Sequence, residues 1–219
     1  MGKPDIIYED NDIIVCYKPA GIATQTRRIG QQDMESFIRN YRAAKNEPPY
    51  VGIVHRLDQP VEGVMVFAKN QKAAASLSRQ IKEHTTEKYY RAASRGHGVS
   101  GADKEEDNHD PAWHTLTDYI SFDKRTNTSK ITSEKDRQAK KAVLQYRILS
   151  NECNKTEFDI KLLTGRHHQI RLQLANIGYP LIGDTKYGGE TAREQLALCS
   201  YKLVFDHPAT GERMRFELP

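Results

Sequence analysis

The spacing of apolar residues changes along this 219-residue chain, and that change constrains the fold more than any single motif. Up to residue 93, short β-branched runs alternate with stretches of helical period; beyond it, strand-like runs dominate. Asp12-Ile-Ile-Val-Cys-Tyr17 predicts a strand ending near residue 17, where Lys18-Pro19-Ala20-Gly21 turns the chain. Met34, Phe37, Ile38 and Tyr41 share one face of a helix predicted over 31–45. Gly52-Ile-Val54 and Gly63-Val-Met-Val-Phe-Ala68 predict two apolar strands flanking the polar segment His55-Arg-Leu-Asp-Gln-Pro-Val-Glu62. A second helix is predicted over 71–84, followed by a strand over 87–93.

The stretch 94–115 is rich in glycine and charge and predicts an exposed loop, with 94–111 as its body. Strand candidates follow at 115–121, 128–132, 140–149 and 156–163, read as an antiparallel meander. A helix over 169–176 is ended by Gly178 and Pro180. Two closing strands, 196–206 and 212–218, flank a turn at 207–211. With no internal repeat, the simplest architecture is one mixed α/β unit over 1–219 that has room for two lobes.

Composition excludes several function classes. No stretch approaches the ~20 apolar residues of a membrane span. The first residues carry no export signal, so the cytoplasm is the expected location. Three scattered cysteines without a C-x-x-C argue against a disulfide framework and a thiolate zinc site. Lys and Arg exceed Asp and Glu by 33 − 29 = 4, a surplus that permits a polyanionic partner without demanding one.

Two clusters hold the candidate chemistry. His55-Arg56-Leu57-Asp58 places a base, a cation and a carboxylate at the exit of an apolar strand, although a plain capping turn has the same composition. Thr164-Gly165-Arg166-His167-His168-Gln169-Ile170-Arg171 leads into a helix, where free N–H groups and guanidinium donors suit an anion. Adjacent His167 and His168 point in different directions and have no helical metal-ligand partner, so no metal is expected. Tyr89 and Tyr90 lie on opposite faces of a strand, and one of them can serve as a stacking platform. Lys and Arg between 124 and 141 can contact phosphates, although such a run is commonly only a solvated face. No G-x-S-x-G, Walker A or dinucleotide fingerprint is present.

Read together, the blocks Lys18-Pro-Ala-Gly21, His55-Arg-Leu-Asp58, Lys88-Tyr-Tyr90-Arg-Ala92, Gly165-Arg166 with His168-Gln-Ile-Arg171, and Gly183-Asp184 resemble the RluA-type family of RNA pseudouridine synthases. Ile177-Gly-Tyr-Pro180, Tyr187-Gly188 and His207-Pro208 extend the resemblance over nearly the whole chain, in order. It implies an α+β fold: a mixed, largely antiparallel curved sheet with flanking helices and a central cleft. It implies ribosomal or transfer RNA as partner; the isomerisation itself requires no cofactor, and a monomer needs no extra assumption. Residue by residue, it implies Asp58 as the catalytic aspartate, Arg171 as its ionic partner and Tyr90 as the stacking ring. Arg56 would fill the space left by a flipped nucleotide, and His55, Arg166, His168 and Gln169 would line the RNA side.

The chain departs from the family pattern at Val61-Glu62, His167 and Leu198-Cys199-Ser200. Glu62 prompts a second reading, an RNA-binding or RNA-remodelling protein that no longer catalyses. A third reading, a metal-dependent hydrolase, rests on the two histidines alone. The 17 residues before Lys18 are shorter than the small RNA-binding module that precedes the catalytic domain in many relatives, so target selection is expected to rest on the catalytic domain.

Overall fold

The computed structural model describes residues 4–26, 28, 30–95, 112–152, 154–188 and 194–219, so nearly all of the expected 94–111 loop lies outside the described residues. In chain order the elements are β1 (Asp5–Glu9), β2 (Ile13–Lys18), α1 (Met34–Ala44), β3 (Gly52–Ile53), β4 (Glu62–Ala68), α2 (Gln71–Lys82) and β5 (Glu87–Arg95). Then follow β6 (His114–Asp123), β7 (Thr128–Thr132), β8 (Lys140–Glu152), β9 (Lys155–Leu162), α3 (Gln169–Asn176), β10 (Leu198–Asp206) and β11 (Arg213–Glu217). The chain divides into two compact units, residues 1–88 with 200–219, and residues 89–199. No described helix is long and apolar enough to cross a membrane.

In the first unit the strand order is β1-β2-β4-β10, with β3 on β4 and β11 on β10. β2 and β4 run antiparallel with Val15 opposite Val66 and Lys18 opposite Gly63. Strand alternation then puts Ile13, Val15, Val64, Val66, Leu203 and Phe205 in one core cluster, with Ala73 and Leu77 of α2 packed into it. Ile14, Cys16, Met65 and Phe67, on the opposite face, are also buried, which explains why β2 and β4 read as continuous apolar runs. α1 begins at 34 because Asp33 accepts the Ser36 N–H (2.8 Å) while Ser36 Oγ accepts the Asp33 N–H (3.1 Å). Asn70 caps α2 through the Ala73 N–H (2.9 Å).

In the second unit the order is β5-β9-β8-β6-β7, and every named strand pairing is antiparallel. The expected meander is corrected here, because β8 returns to the other edge of β6 instead of pairing with β7. β8 carries Ala142, Leu144 and Tyr146, all buried, and needs a neighbour on each side. β7, five residues with an exposed lysine, suits the edge. Tyr146, Phe158 and Tyr179 pack edge to face, at 6.0 and 5.1 Å, in the core of this unit. α3 lies against β6 and β7, and Gln173 donates to Asp118 of β6 (2.7 Å).

Candidate active site

Between β3 and β4 the chain forms an irregular loop over 54–61, and internal hydrogen bonds fasten it on both sides of Asp58. Thr24, buried, donates from Oγ1 to the Leu57 carbonyl (2.9 Å) and accepts the Leu57 N–H (3.1 Å). The Gln59 carbonyl accepts the Gly21 N–H (2.8 Å) and its side-chain amide donates to the Gly21 carbonyl (3.0 Å). The Val61 N–H closes a turn onto the Asp58 carbonyl (3.0 Å). Asp58 itself is half-buried and Arg56 is exposed. A fixed backbone thus carries a carboxylate that water can still reach, the arrangement a reactive group needs.

Lys18 has no exposed surface, and its ammonium donates to three carbonyls: Pro19 (3.1 Å), Ile22 (2.6 Å) and Gln59 (3.2 Å). Burial pulls its pKa down to about 8, opposed by the charges of Asp58 and Glu62. Glu62 accepts the Tyr17 hydroxyl (2.7 Å). The next residue is glycine of necessity, since at φ 137° a Cβ would lie 2.6 Å from Ser200 Cβ. His55 is half-buried and its Nε2 accepts the Val66 N–H (3.0 Å), which fixes the neutral Nδ1–H tautomer. Burial and the Lys88 charge push its pKa down to about 3. The His55 side chain therefore braces β4.

Arg166, His168, Gln169 and Arg171 gather at the start of α3 in the second unit. Gln169, buried, accepts the Arg166 N–H (3.0 Å) and the Thr164 hydroxyl (2.8 Å) and donates to Gln173 (2.9 Å). Arg166 donates through Nε to the Lys141 carbonyl (2.8 Å). His168 adopts a left-handed backbone, φ 54°, at the N-cap of α3. Its Nδ1 lies 2.8 Å from the Tyr187 hydroxyl, which accepts the Ser129 N–H (2.9 Å). Burial, reinforced by Arg171, His167 and Lys186, drives the His168 pKa down to about 3, so the ring that shares a hydrogen bond with the Tyr187 hydroxyl stays neutral.

Arg171 is 4% exposed and Asp184 1%. They form a bidentate pair, Nε to Oδ2 at 2.8 Å and Nη2 to Oδ1 at 2.7 Å. Asp184 also accepts the N–H groups of Lys186 (2.9 Å) and Tyr187 (3.2 Å), and these donors hold its carboxyl below the usual range against the opposing effect of burial. Tyr90, 6% exposed, lies opposite Ile160, whereas half-buried Tyr89 lies opposite Lys161, whose ammonium is 5.4 Å from the Tyr89 ring.

In the sequence Lys18, Asp184 and Tyr187 stand only as motif letters, and nothing there singles out Thr24 or Ser129. A lysine entering a Pro-Ala-Gly turn from an apolar strand was the one signal available for Lys18. The His167 and His168 rings stack at 3.7 Å, with Nδ1 atoms on Ser129 (2.9 Å) and Tyr187, a geometry set by hydrogen bonding. Asp10, Asp12 and His207 approach one another as metal ligands do. His207 Nδ1 already accepts the Thr210 N–H (3.1 Å), and Asp10 Oδ1 accepts those of Asp12 and Ile13 (2.8 Å each). That cluster locks a turn.

A sequence model of the family described as RNA pseudouridylate synthase matches residues 12–176. Ribosomal large subunit pseudouridine synthase D of Pseudomonas aeruginosa is 34% identical, over 98% of this chain and 68% of that protein. An uncharacterized RNA pseudouridine synthase of Bacillus subtilis is 32% identical, over 100% of this chain and 69% of its own length. Among solved structures, human RNA pseudouridylate synthase domain containing 4 matches with a TM-score of 0.76 at 19% identity, covering 98% of this chain and 88% of that one. With three quarters of its length inside the family match and relatives aligned over nearly all of it, the chain belongs to the RNA pseudouridine synthases, isomerases that convert uridine to pseudouridine in RNA.

Proposed function

We propose that this enzyme modifies a uridine of large-subunit ribosomal RNA, with the carboxylate of Asp58 attacking C1′ or removing a proton at C2′. The reaction breaks the N1–C1′ bond, turns the uracil over, forms C5–C1′, releases the C5 proton to water and takes up a proton from water at N1. Atoms balance without an oxidant, a reductant or a second substrate. The carrying observation is the fixed loop, in which Leu57 and Gln59 are bonded to 18–24 on either side of Asp58. Arg171 belongs to the cluster at the start of α3, where the Asp184 fork fixes the plane of its guanidinium. Tyr90 stacks on the extruded uracil and Arg56 occupies the gap that it leaves, a division of labour that base extrusion requires. His55, His168 and Gln169, engaged inside the protein, support these groups from behind. Ribosomal RNA is preferred to transfer RNA because the relative of known target type is named for the large ribosomal subunit.

Tritium release from RNA labelled at uridine C5 tests the chemistry. Wild type is expected to release label and Asp58→Asn to release none; activity surviving in Asp58→Asn sinks the mechanism. Carbodiimide mapping of pseudouridines in cells with and without the gene tests the substrate. A missing site in transfer RNA, with ribosomal RNA intact, would overturn the ribosomal reading.

A further inference from the structure

The surplus positive charge of the whole chain, +4, is matched by one stretch of twenty residues. Residues 122–141 hold Lys124, Arg125, Lys130, Lys135, Arg137, Lys140 and Lys141 against Asp123, Glu134 and Asp136, and 7 − 3 = 4. All seven cations are exposed. Among the described residues, none of the seven forms an ion pair. Elsewhere in the same unit, by contrast, Arg91 and Arg147 pair with Asp159, Lys155 with Glu157 and Arg171 with Asp184.

The three carboxylates of the stretch are directed to neutral donors. Asp123 accepts the Arg125 N–H (2.8 Å), Asp136 accepts the Gln138 N–H (2.9 Å) and the Thr132 hydroxyl (3.0 Å), and Glu134 accepts the Tyr119 hydroxyl (2.6 Å). They shape the β6–β7 turn and the β7–β8 connection and leave the cations facing solvent. Like charges in surplus at this density repel, and a fold that keeps seven cations together against three carboxylates is suited to a polyanion.

We propose that the β6–β7 edge, with the connection into β8, is a phosphate-tracking surface that holds the backbone of the RNA substrate. The inference rests on the functional reading above and adds the place where the backbone of that RNA is gripped. Lys130 lies opposite Ser121 and Lys141 opposite Tyr119, so both point to one face of the sheet from strands on either side of β6. Strands two apart are separated by about 10 Å, so the two lysines can serve different phosphates. Phe122, 37% exposed, stands at the base of the same turn with its ring 4.2 Å from that of His167. Phe122 lies on the other face of β6 from these two lysines but beside Lys124 and Arg125 of the turn, and an exposed ring next to cations favours nucleic acid over an acidic peptide or an anionic membrane, since bases stack where phosphates pair.

The test compares wild type, the variant Lys124→Gln/Arg125→Gln/Lys130→Gln, and a charge-matched control, Lys72→Gln/Arg79→Gln/Lys82→Gln, on exposed α2 positions. The probe is a fluorescein-labelled hairpin RNA, titrated by anisotropy between about 50 and about 200 mM KCl. Removing one cation from a phosphate lowers the slope of log Kd against log salt by about 0.7 to 0.9, so the turn variant is expected to lose about 2 to 3 from its slope. Its affinity at the lowest salt falls about tenfold or more, while the control stays near wild type. Tritium release at saturating RNA remains in the turn variant. An unchanged slope, or an equal loss in the control, overturns the surface. So does a variant that keeps its RNA affinity but no longer binds phosphatidylserine vesicles or a polyglutamate peptide. Failure of the functional reading is separate, because a wild type that isomerises no uridine still yields a salt slope.

Discussion

Removing Asp184 is expected to destabilise the protein more than any single surface change, because Arg171 has almost no exposure through which water can replace the missing partner. In Asp184→Ala the guanidinium loses two charge-assisted hydrogen bonds of 2.8 and 2.7 Å. Breaking a buried pair by deleting one member costs about 3–5 kcal/mol, set by the uncompensated charge that remains. The two backbone N–H groups that Asp184 accepts belong to exposed Lys186 and half-buried Tyr187, where water can substitute, so they add little. For a chain of this size each kcal/mol moves the midpoint by about 2–4 °C, so the expected fall in Tm is about 6–20 °C. Circular dichroism melting at neutral pH measures it. Arg171→Met alone should also destabilise, and Arg171→Met/Asp184→Leu should recover much of the loss, since apolar replacement of both partners removes the buried charge altogether. A fall below about 2 °C in Asp184→Ala, or effects that simply add in the double variant, would refute the argument. The pH dependence has a definite sign. The folded-state pKa of Asp184 lies below its ordinary value of 3.8, so its contribution is present above that pH and is lost as pH falls through the depressed value. Asp184→Asn should show none of that acid-induced loss.

Three further outcomes follow from the bracing of the two clusters. Thr24→Val leaves the Leu57 N–H and carbonyl without their shared partner and should cost about 2–4 kcal/mol in urea unfolding and lower kcat, whereas Thr24→Ser should restore both. Tyr187→Phe strips the acceptor from the buried Ser129 N–H and the hydrogen-bond partner from His168 Nδ1, and should cost about 1–3 kcal/mol by the same measurement. Lys18 has a folded pKa of about 8, below its ordinary 10.5, so the folded state binds fewer protons between those values and this group makes stability rise with pH across that window. Comparing urea midpoints at both ends of the window, wild type should show a rise that Lys18→Met lacks; identical pH dependence in the two proteins would count against it.

Much of the fold was legible before any coordinates, for a local reason. The apolar spacing in 31–45 and 71–84, and the β-branched runs at 12–17 and 63–68, report directly which face each element buries, and helices and strands appear there within a few residues. The limits that slipped were those set by caps: α1 starts at Met34 because Asp33 and Ser36 close a box, which the apolar period does not encode. Pairing order was beyond reach. Four strands in sequence suggest a meander, but which edge of β6 receives β7 depends on which strand has enough apolar surface to be flanked twice, and that is a property of the assembled sheet.

The chemistry divides in the same way. His55-Arg-Leu-Asp58 and the run ending in Arg171 stood out by composition and by resemblance, because reactive groups at strand exits and helix starts leave short, recognisable strings. What each side chain bonds to was decided by packing. The Arg171–Asp184 fork spans 184 − 171 = 13 positions and Thr24 reaches Leu57 across 33, distances at which a linear pattern carries no geometric information. His55 and His168 look alike as letters in a basic motif, yet burial makes both neutral scaffolding, since the cost of charging a ring depends on the solvent removed from around it. Sequence thus determined which residues are available and which elements carry them; only the tertiary structure, by excluding water and pairing distant groups, decided which are engaged inside the protein and which can face a substrate.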